Sequence, residues 1–333
     1  MKHVLIDERK QFYKGNMHCH STLSDGTYTP EQLKAMYKER GYSFLAITDH
    51  EHLNNNGYLD DESFITITGA EFAIKQFQEQ STLRNLNMKV CHLNLYAKKQ
   101  DNTYNVCYNA VYDHFSDPAR RADFHNPPQD YERRYGKDSI NALIRTANEH
   151  GFFVCYNHPR WSLENYGDYS GYEGLWGVEI FNTSSNMAGI YDYDINVLDD
   201  FLRDGKRILA SCGDDNHNHR EDSFGAFVMV NAECLSYDTI VDGLLQGNFY
   251  SSTGPLIHSL WVEGHKVHIR CSDAKAVTLS TFGRRAQAVH AKEGYLNEAT
   301  LELKNSDIYF RLDVIDEWGR RANTQAYYLE ELI

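Results

Sequence analysis

From residue 14 to about residue 230, short apolar runs alternate with helix-period stretches, a rhythm that predicts a parallel sheet or barrel wrapped by helices. The first β-rich run ends in the His18 and His20 pair. Thr29 then caps a helix with Pro30 at its first position, apolar residues at Leu33, Ala35, Met36 and Tyr37, and a stop at Gly41. Further strands are predicted over 44–48, 64–68, 89–96, 152–156, 178–181 and 207–211, which makes seven. A helix from about Ser139 gathers Ile140, Leu143, Ile144 and Ala147 on one side and ends at Gly151.

Beyond a helix over 237–245 the period changes to strict alternation, at 259–262, 266–271, 276–280, 299–303 and 308–314. No helix-period segment separates these runs, so residues 251–333 are predicted to form a small antiparallel β-domain resembling a sandwich. Residues 1–250 then form the α/β unit. Within it, the polar, Tyr-rich stretch 97–139 is too long for an ordinary connection and reads as an insertion or lid. Its Arg120, Arg121, His125, Arg133 and Arg134 suggest a cover on the substrate side.

Composition narrows the partners. A length of 333 residues holds one barrel-sized unit of roughly 250 residues and a small second one. The formal charge of −14 argues against an extended nucleic-acid surface, which needs clustered Lys and Arg. Asp7, Glu8, Arg9 and Lys10 break the N-terminal stretch, so no signal peptide is expected, and no apolar run is long enough to span a membrane. The seven Cys are scattered, and Cys19, Cys91, Cys155 and Cys212 fall in expected buried strands. They read as reduced core thiols of a cytoplasmic protein.

Chemistry concentrates where the apolar runs end. His18 and His20 are followed by Ser24-Asp25-Gly26, and the ladder continues through Asp49-His50, Glu71, His92, His158 and Asp214-Asp215-Asn216-His217. Imidazoles mixed with carboxylates suit borderline and hard divalent cations, whereas a thiolate-rich set would suggest structural zinc. His18 and His20 are one residue apart, so on a strand both rings point to one face. Bound cations would also draw a small anionic substrate into an acidic protein.

The H-x-H-S-x-x-S-D-G segment, then T-P-E-Q-L and G-Y-S-F-L-A-I-T-D-H, resembles the opening of the PHP family, the polymerase and histidinol phosphatase superfamily of metal-dependent phosphoesterases. G-A-E, C-H-L, N-H-P and G-D-D-N-H follow in the same order, so the resemblance runs through residues 16–217. It implies a distorted seven-stranded (β/α) barrel with two or three divalent ions, Mn, Zn or Fe. Carried onto this chain, His18, His20, Glu71 and Asp215 bind the first ion, and Glu71 bridges to a second held by His92 and His158. Asp25, His50 and His217 hold a third. Some relatives place a histidine six residues after the H-x-H pair; here that position is Gly26, with Asp25 beside it.

The activity so implied is hydrolysis of a small phosphate ester by a metal-bridging hydroxide, with His217 or Asp49 as proton donor and Arg160 on the anionic end. Two rival functions share the ligands: hydrolysis of a carbamate or carboxyl ester, to which Trp161 and the tyrosines near 104–135 lend support, and a non-catalytic, metal-stabilised binding protein. Asp214 reads as a supporting acid, Glu179 and Asn182 as residues near the end of their strand that could touch the site but read first as satisfied polar groups, and His52, His125 and His219 as loop residues. Oligomeric state is left open.

Overall fold

The computed structural model of the chain describes residues 2–77, 87–114, 125–127, 129–191 and 193–332. Strands β1 (Lys2–Ile6) and β2 (Gln11–Asn16) precede helix α1 (Pro30–Glu39), followed by β3 (Phe44–Ile47), β4 (Ile65–Lys75) and β5 (Val90–Ala97). Next come α2 (Lys137–Glu149), β6 (Phe152–Tyr156), α3 (Tyr166–Tyr169), β7 (Gly177–Asn182), α4 (Thr183–Met187), α5 (Ile195–Arg203) and β8 (Leu209–Gly213). Strand β9 (Phe227–Ala232), helix α6 (Tyr237–Leu245) and strand β10 (Phe249–Ser252) lead into the C-terminal strands. These are β11 (Ile257–Glu263), β12 (Lys266–Ala274), β13 (Ala276–Thr281), β14 (Ala286–His290), β15 (Leu296–Glu302), β16 (Tyr309–Ile315), β17 (Arg321–Asn323) and β18 (Tyr327–Tyr328). The fold is α/β and strand-rich. None of the described helices is long and apolar enough to cross a membrane.

Strands β2 to β8 lie side by side in sequence order. Their apolar faces meet α2, whose Ile140, Leu143, Ile144 and Ala147 are buried as their spacing predicts, and the Val197, Leu198, Phe201 and Leu202 face of α5. Thr29 caps α1 in a reciprocal box with Gln32, and Leu33 and Tyr37 face inward while Ala35 turns to solvent.

The expectation of a wholly parallel set needs one correction. β5 runs antiparallel to both β4 and β6, while the other neighbouring pairs from β2 to β8 are parallel. The reason is local: β4 extends to Lys75, and Gln76 N–H donates to Lys89 O at 2.9 Å, so the chain returns directly beside itself. The start of β5, not its end, lies where its neighbours finish.

Among the described residues β8 forms no ladder with β9 or β2. Its free edge is instead met by the Gln325 side chain, which accepts from Ala210 N at 2.7 Å and donates to Ala210 O at 3.1 Å. Past the strand ends, Asp215 N donates to His18 O at 2.9 Å and His20 N to Asn216 O at 3.1 Å. The first and last of the seven strands therefore join only at the end that carries the histidines.

The C-terminal strands build two antiparallel layers, β1-β11-β12-β15 and β14-β13-β16-β17, with Leu260, Val262, Val267 and Ile269 packed against Val277, Leu279, Phe310 and Leu312. β1 is an edge strand here, although it opens the chain. β10 pairs with both β9 and β17, so one sheet runs continuously between the two regions. Arg311 adds a buried tie, with Nε 3.0 Å from Asp199 Oδ1 on α5.

The 97–139 segment is packed rather than open where it is described. Val106, Cys107, Tyr108 and Tyr112 are buried, and so is Arg133. Arg133 was expected to face substrate; its guanidinium instead donates to both oxygens of buried Glu51, at 2.8 and 2.6 Å. His52, expected in a loop, is also buried, with Nε2 3.0 Å from Asp113 Oδ1. Arg134 is exposed and paired with Glu132, His125 is exposed, and Arg120 and Arg121 lie outside the described residues.

Candidate metal centre

The His18 and His20 segment continues β2 in extended form, since Cys19 O accepts from Thr48 N at 2.8 Å and Cys19 N donates to Thr48 Oγ1 at 3.1 Å. That pairing turns both imidazoles to one side, with their Nε2 atoms 3.3 Å apart. Asp215, just beyond β8, reaches the same point: its Oδ1 lies 3.1 Å from His18 Nε2 and 3.0 Å from His20 Nε2. Glu71 completes the group at 3.3 Å from His18 and 3.5 Å from His20.

Glu71 was expected just after a strand, and the structure places it in the middle of β4. It reaches the cluster because β4 runs on past the end of β3, paired there with β5. Its Oε1 also lies 3.0 Å from His92 Nδ1 and 3.1 Å from His158 Nε2, which makes it the shared member of two groups. His92 joins from the third position of reversed β5. A more open group holds Asp25 Oδ1 3.6 Å from His50 Nε2 and 3.4 Å from His217 Nε2, with His20 Nδ1 at 3.9 Å. All nine expected ligands thus fall into three overlapping groups whose donor atoms lie within 4.8 Å of one another.

Gly26 has a steric reason. A Cβ there would lie 2.2 Å from His20 O, so no histidine fits and Asp25 is the side chain that reaches the group. Gly213 is tied the same way, because a Cβ would meet His18 Cβ at 2.5 Å and Glu179 Oε1 at 2.9 Å. His158 and Asp215 both adopt left-handed backbone, at φ 25° and 52°, a strain held by the surrounding hydrogen bonds.

Burial opposes charge throughout this cluster. For Glu71 the His92 and His18 imidazoles outweigh it and hold the carboxyl well below the usual range, and His18 has the same effect on Asp215. His158 and His217 resist burial through Glu71 and Asp25 respectively and are each raised to about 9, while burial with His217 and His50 nearby pushes His20 down to about 3.

The donor set fits divalent cations on two counts. Nitrogen and carboxylate oxygen are mixed in each group, and no thiol takes part. Among the described residues, buried Asp215 Oδ1 and His20 Nδ1 also have no hydrogen bond of good geometry, although both sit inside the groups.

The sequence understated the supporting residues. Glu179 Oε1 lies 3.0 Å from His18 Nδ1, and its Oε2 accepts from His158 N and Asn182 Nδ2, both at 3.0 Å. It therefore fixes the His18 ring with Nε2 facing Glu71 and Asp215. Asn182 also donates to Asp215 Oδ2 at 3.1 Å, and Asn157 to Glu71 Oε1 at 2.9 Å. The available signal was the pair Glu179 and Asn182 on the one predicted strand, with Asn182 closing β7. Glu179→Gln is expected to weaken divalent-ion binding by about 10–100-fold. Competition against a chelator measures this, and unchanged affinity would remove Glu179 from the site.

Of the three expected catalytic residues, only His217 lies in a donor group. Asp49 is turned aside. Its oxygens accept from Ser21 N, Ser21 Oγ and Ser24 Oγ at 2.7, 2.7 and 2.8 Å, so it holds the turn that carries Asp25. Arg160 is exposed, and its backbone N–H donates to Asp194. Asp214 accepts from Tyr37 Oη, Thr183 Oγ1 and the 224–226 backbone. His219 bonds Asp25 O at 2.9 Å. Trp161 was weighed only as a pocket aromatic; its ring lies 5.2 Å from His92 and 5.0 Å from His158, and is 40% exposed.

Scans of the sequence against protein-family models and curated proteins find no match. Among solved structures, the chain is similar to an amidohydrolase from Chromobacterium violaceum with bound sulfate and no metal, at 14% identity and a TM-score of 0.41, covering 71% of this chain and 96% of that one. It is similar to a provisionally assigned metal-dependent phosphoesterase from Bifidobacterium adolescentis, at 15% identity and a TM-score of 0.37, covering 61% and 87%. It is also similar to a two-domain protein from Bacteroides vulgatus containing a predicted PHP-like metal-dependent phosphoesterase, at 13% identity and a TM-score of 0.46, over 97% of this chain and 96% of that one.

Proposed function

We propose that this chain is a PHP-type metal-dependent phosphoesterase acting on a small anionic phosphate ester. In this reading β2 to β8 form the distorted barrel of a unit spanning residues 1–250, with 97–139 inserted and 251–333 as the C-terminal domain. His18, His20, Glu71 and Asp215 hold one divalent ion, Glu71, His92 and His158 a second, and Asp25, His50 and His217 a third. The supporting observation is the placement of Glu71, one buried carboxylate shared by two histidine groups. Divalent ions bound there supply an activated water and polarise the phosphoryl oxygen.

The protein's own groups prepare that chemistry. Glu179, Asn182 and Asn157 fix His18, Asp215 and Glu71 before substrate arrives, which avoids reorganisation during reaction. Asp49 keeps the Ser21–Ser24 turn in place, and so positions Asp25. Arg160, exposed beyond His158, is the group we assign to the anionic end of the substrate. The seven free cysteines, six of them buried, accord with a cytoplasmic setting.

Metal content, followed by turnover of phosphomonoesters, phosphodiesters and carboxyl esters with Mn, Zn or Fe restored, tests the reading. Phosphate release is expected, with a loss of about 10²-fold or more in His18→Ala and Asp215→Ala. Activity that persists in those variants sinks it. Trp161 beside His92 and His158 supports a second reading, in which the same centre cleaves a carbamate or carboxyl ester, and turnover confined to those substrates would favour it.

A further inference from the structure

A cavity of 610 Å³ opens in the C-terminal layers, between the β10–β11 connection, the β16–β17 turn and the residues entering β15. None of its lining residues belongs to the histidine groups. Its volume lies within the range of roughly 300–1,000 Å³ usual for small-ligand sites. We propose that this cleft binds a neutral carbohydrate, a short oligosaccharide seated against Trp318 and Tyr295.

Two aromatic rings line the cleft and stay open to solvent, Trp318 at 71% and Tyr295 at 43% exposure. Around them stand Asp273, Asp316, Glu317 and Asn297. Ring faces beside acceptor groups match a sugar, whose C–H face packs on an aromatic plane while its hydroxyls donate to carboxylates and amides.

The rings are held before any ligand arrives. Asp316 Oδ1 accepts from Trp318 N and Arg320 N, both at 2.9 Å, and Oδ2 from Arg320 Nε at 2.7 Å. The Arg320 guanidinium lies 4.6 Å over the indole. It lies close against Gly254, where a Cβ would come within 2.6 Å of Arg320 Nε and displace the guanidinium from this position. Tyr295 Oη donates to Glu317 Oε2 at 2.7 Å, and Lys275 Nζ lies 4.2 Å over its ring. Groups fixed in this way lose little freedom on binding.

Charge selects against the alternatives. With Asp316 paired to Arg320 at 2.7 Å, Asp273 and Glu317 leave the lining net negative, which repels phosphate and other anions. A cationic ligand would compete with Arg320 and Lys275, each already seated on one ring. A neutral polyhydroxyl compound carries no charge for these groups to oppose, and the ring surface that Trp318 and Tyr295 keep exposed beside the seated cations is what its C–H face would pack on.

Calorimetric titration of the full chain with cellobiose, maltose, lactose and N,N′-diacetylchitobiose tests this, with inorganic phosphate and choline as charged probes. At least one disaccharide is expected to saturate, and Trp318→Ala and Tyr295→Ala to weaken it by about tenfold or more. Both positions lie at the surface, so melting temperatures should match the parent, and Asp273→Asn provides an independent lining variant. Failure of every disaccharide to saturate, affinity unchanged in both aromatic variants, or binding of choline or phosphate at this cleft instead would each overturn the proposal.

Discussion

Glu71→Gln should lower hydrolysis by about 10³-fold and reduce the number of ions retained, a larger effect than at any ligand serving one group. The substitution keeps shape and removes charge, and Glu71 is 1% exposed, with Oε1 within 3.3 Å of His18, His92 and His158. One neutral amide cannot balance two cations at once. His18→Ala, by contrast, leaves Glu71, His92 and His158 intact. Metal analysis after dialysis, together with kcat and KM for the best substrate, separates the two cases. If Glu71→Gln retains the parent's metal content and activity, Glu71 is not a bridging ligand.

The candidate ligands that were plain in the sequence share one feature: they follow strands whose ends could be read from an apolar run closed by a polar residue. His18, His20, His50, His158 and Asp215 all fall just past β2, β3, β6 or β8. Strand alternation fixes which way such a residue points. Glu71 and His92 were harder, because they depend on β4 overrunning β3 and on β5 reversing beside it, and both are set by pairing between strands. An antiparallel strand and a parallel one carry the same apolar pattern.

Supporting groups were less legible still. Glu179 looks like any polar residue of a short strand until its partner His18, 161 positions earlier, is beside it. Arg133 was misread for a related reason. An arginine in a polar, Tyr-rich stretch is solvated in most proteins, and only the arrival of Glu51 makes its burial tolerable. The place of β1 in the C-terminal sheet likewise depends on a partner, β11, more than 250 residues away.

That buried pair carries the second large effect, this time on stability. Arg133→Ala is expected to cost about 3–5 kcal/mol, because it leaves the Glu51 carboxylate buried without its partner. Arg133 is 1% exposed and also donates to Ala73 O at 3.0 Å and Cys107 O at 3.1 Å, so it ties the insertion to β4. Its guanidinium lies 5.1 Å over Phe72 and 4.7 Å over Tyr112. The damage should spread to the candidate metal centre. Glu51 directly follows His50, sits at φ 68°, and donates its N–H to Glu71 O at 2.9 Å. Loss of the pair therefore loosens His50 and the middle of β4 together. Chemical denaturation of the metal-free protein measures the stability, and chelator competition the affinity. Replacing both partners with apolar residues, as in Arg133→Met with Glu51→Leu, should restore much of the stability, since the cost comes from the stranded charge. A loss below about 1 kcal/mol in Arg133→Ala would mean that water reaches Glu51 and that the insertion is not pinned there.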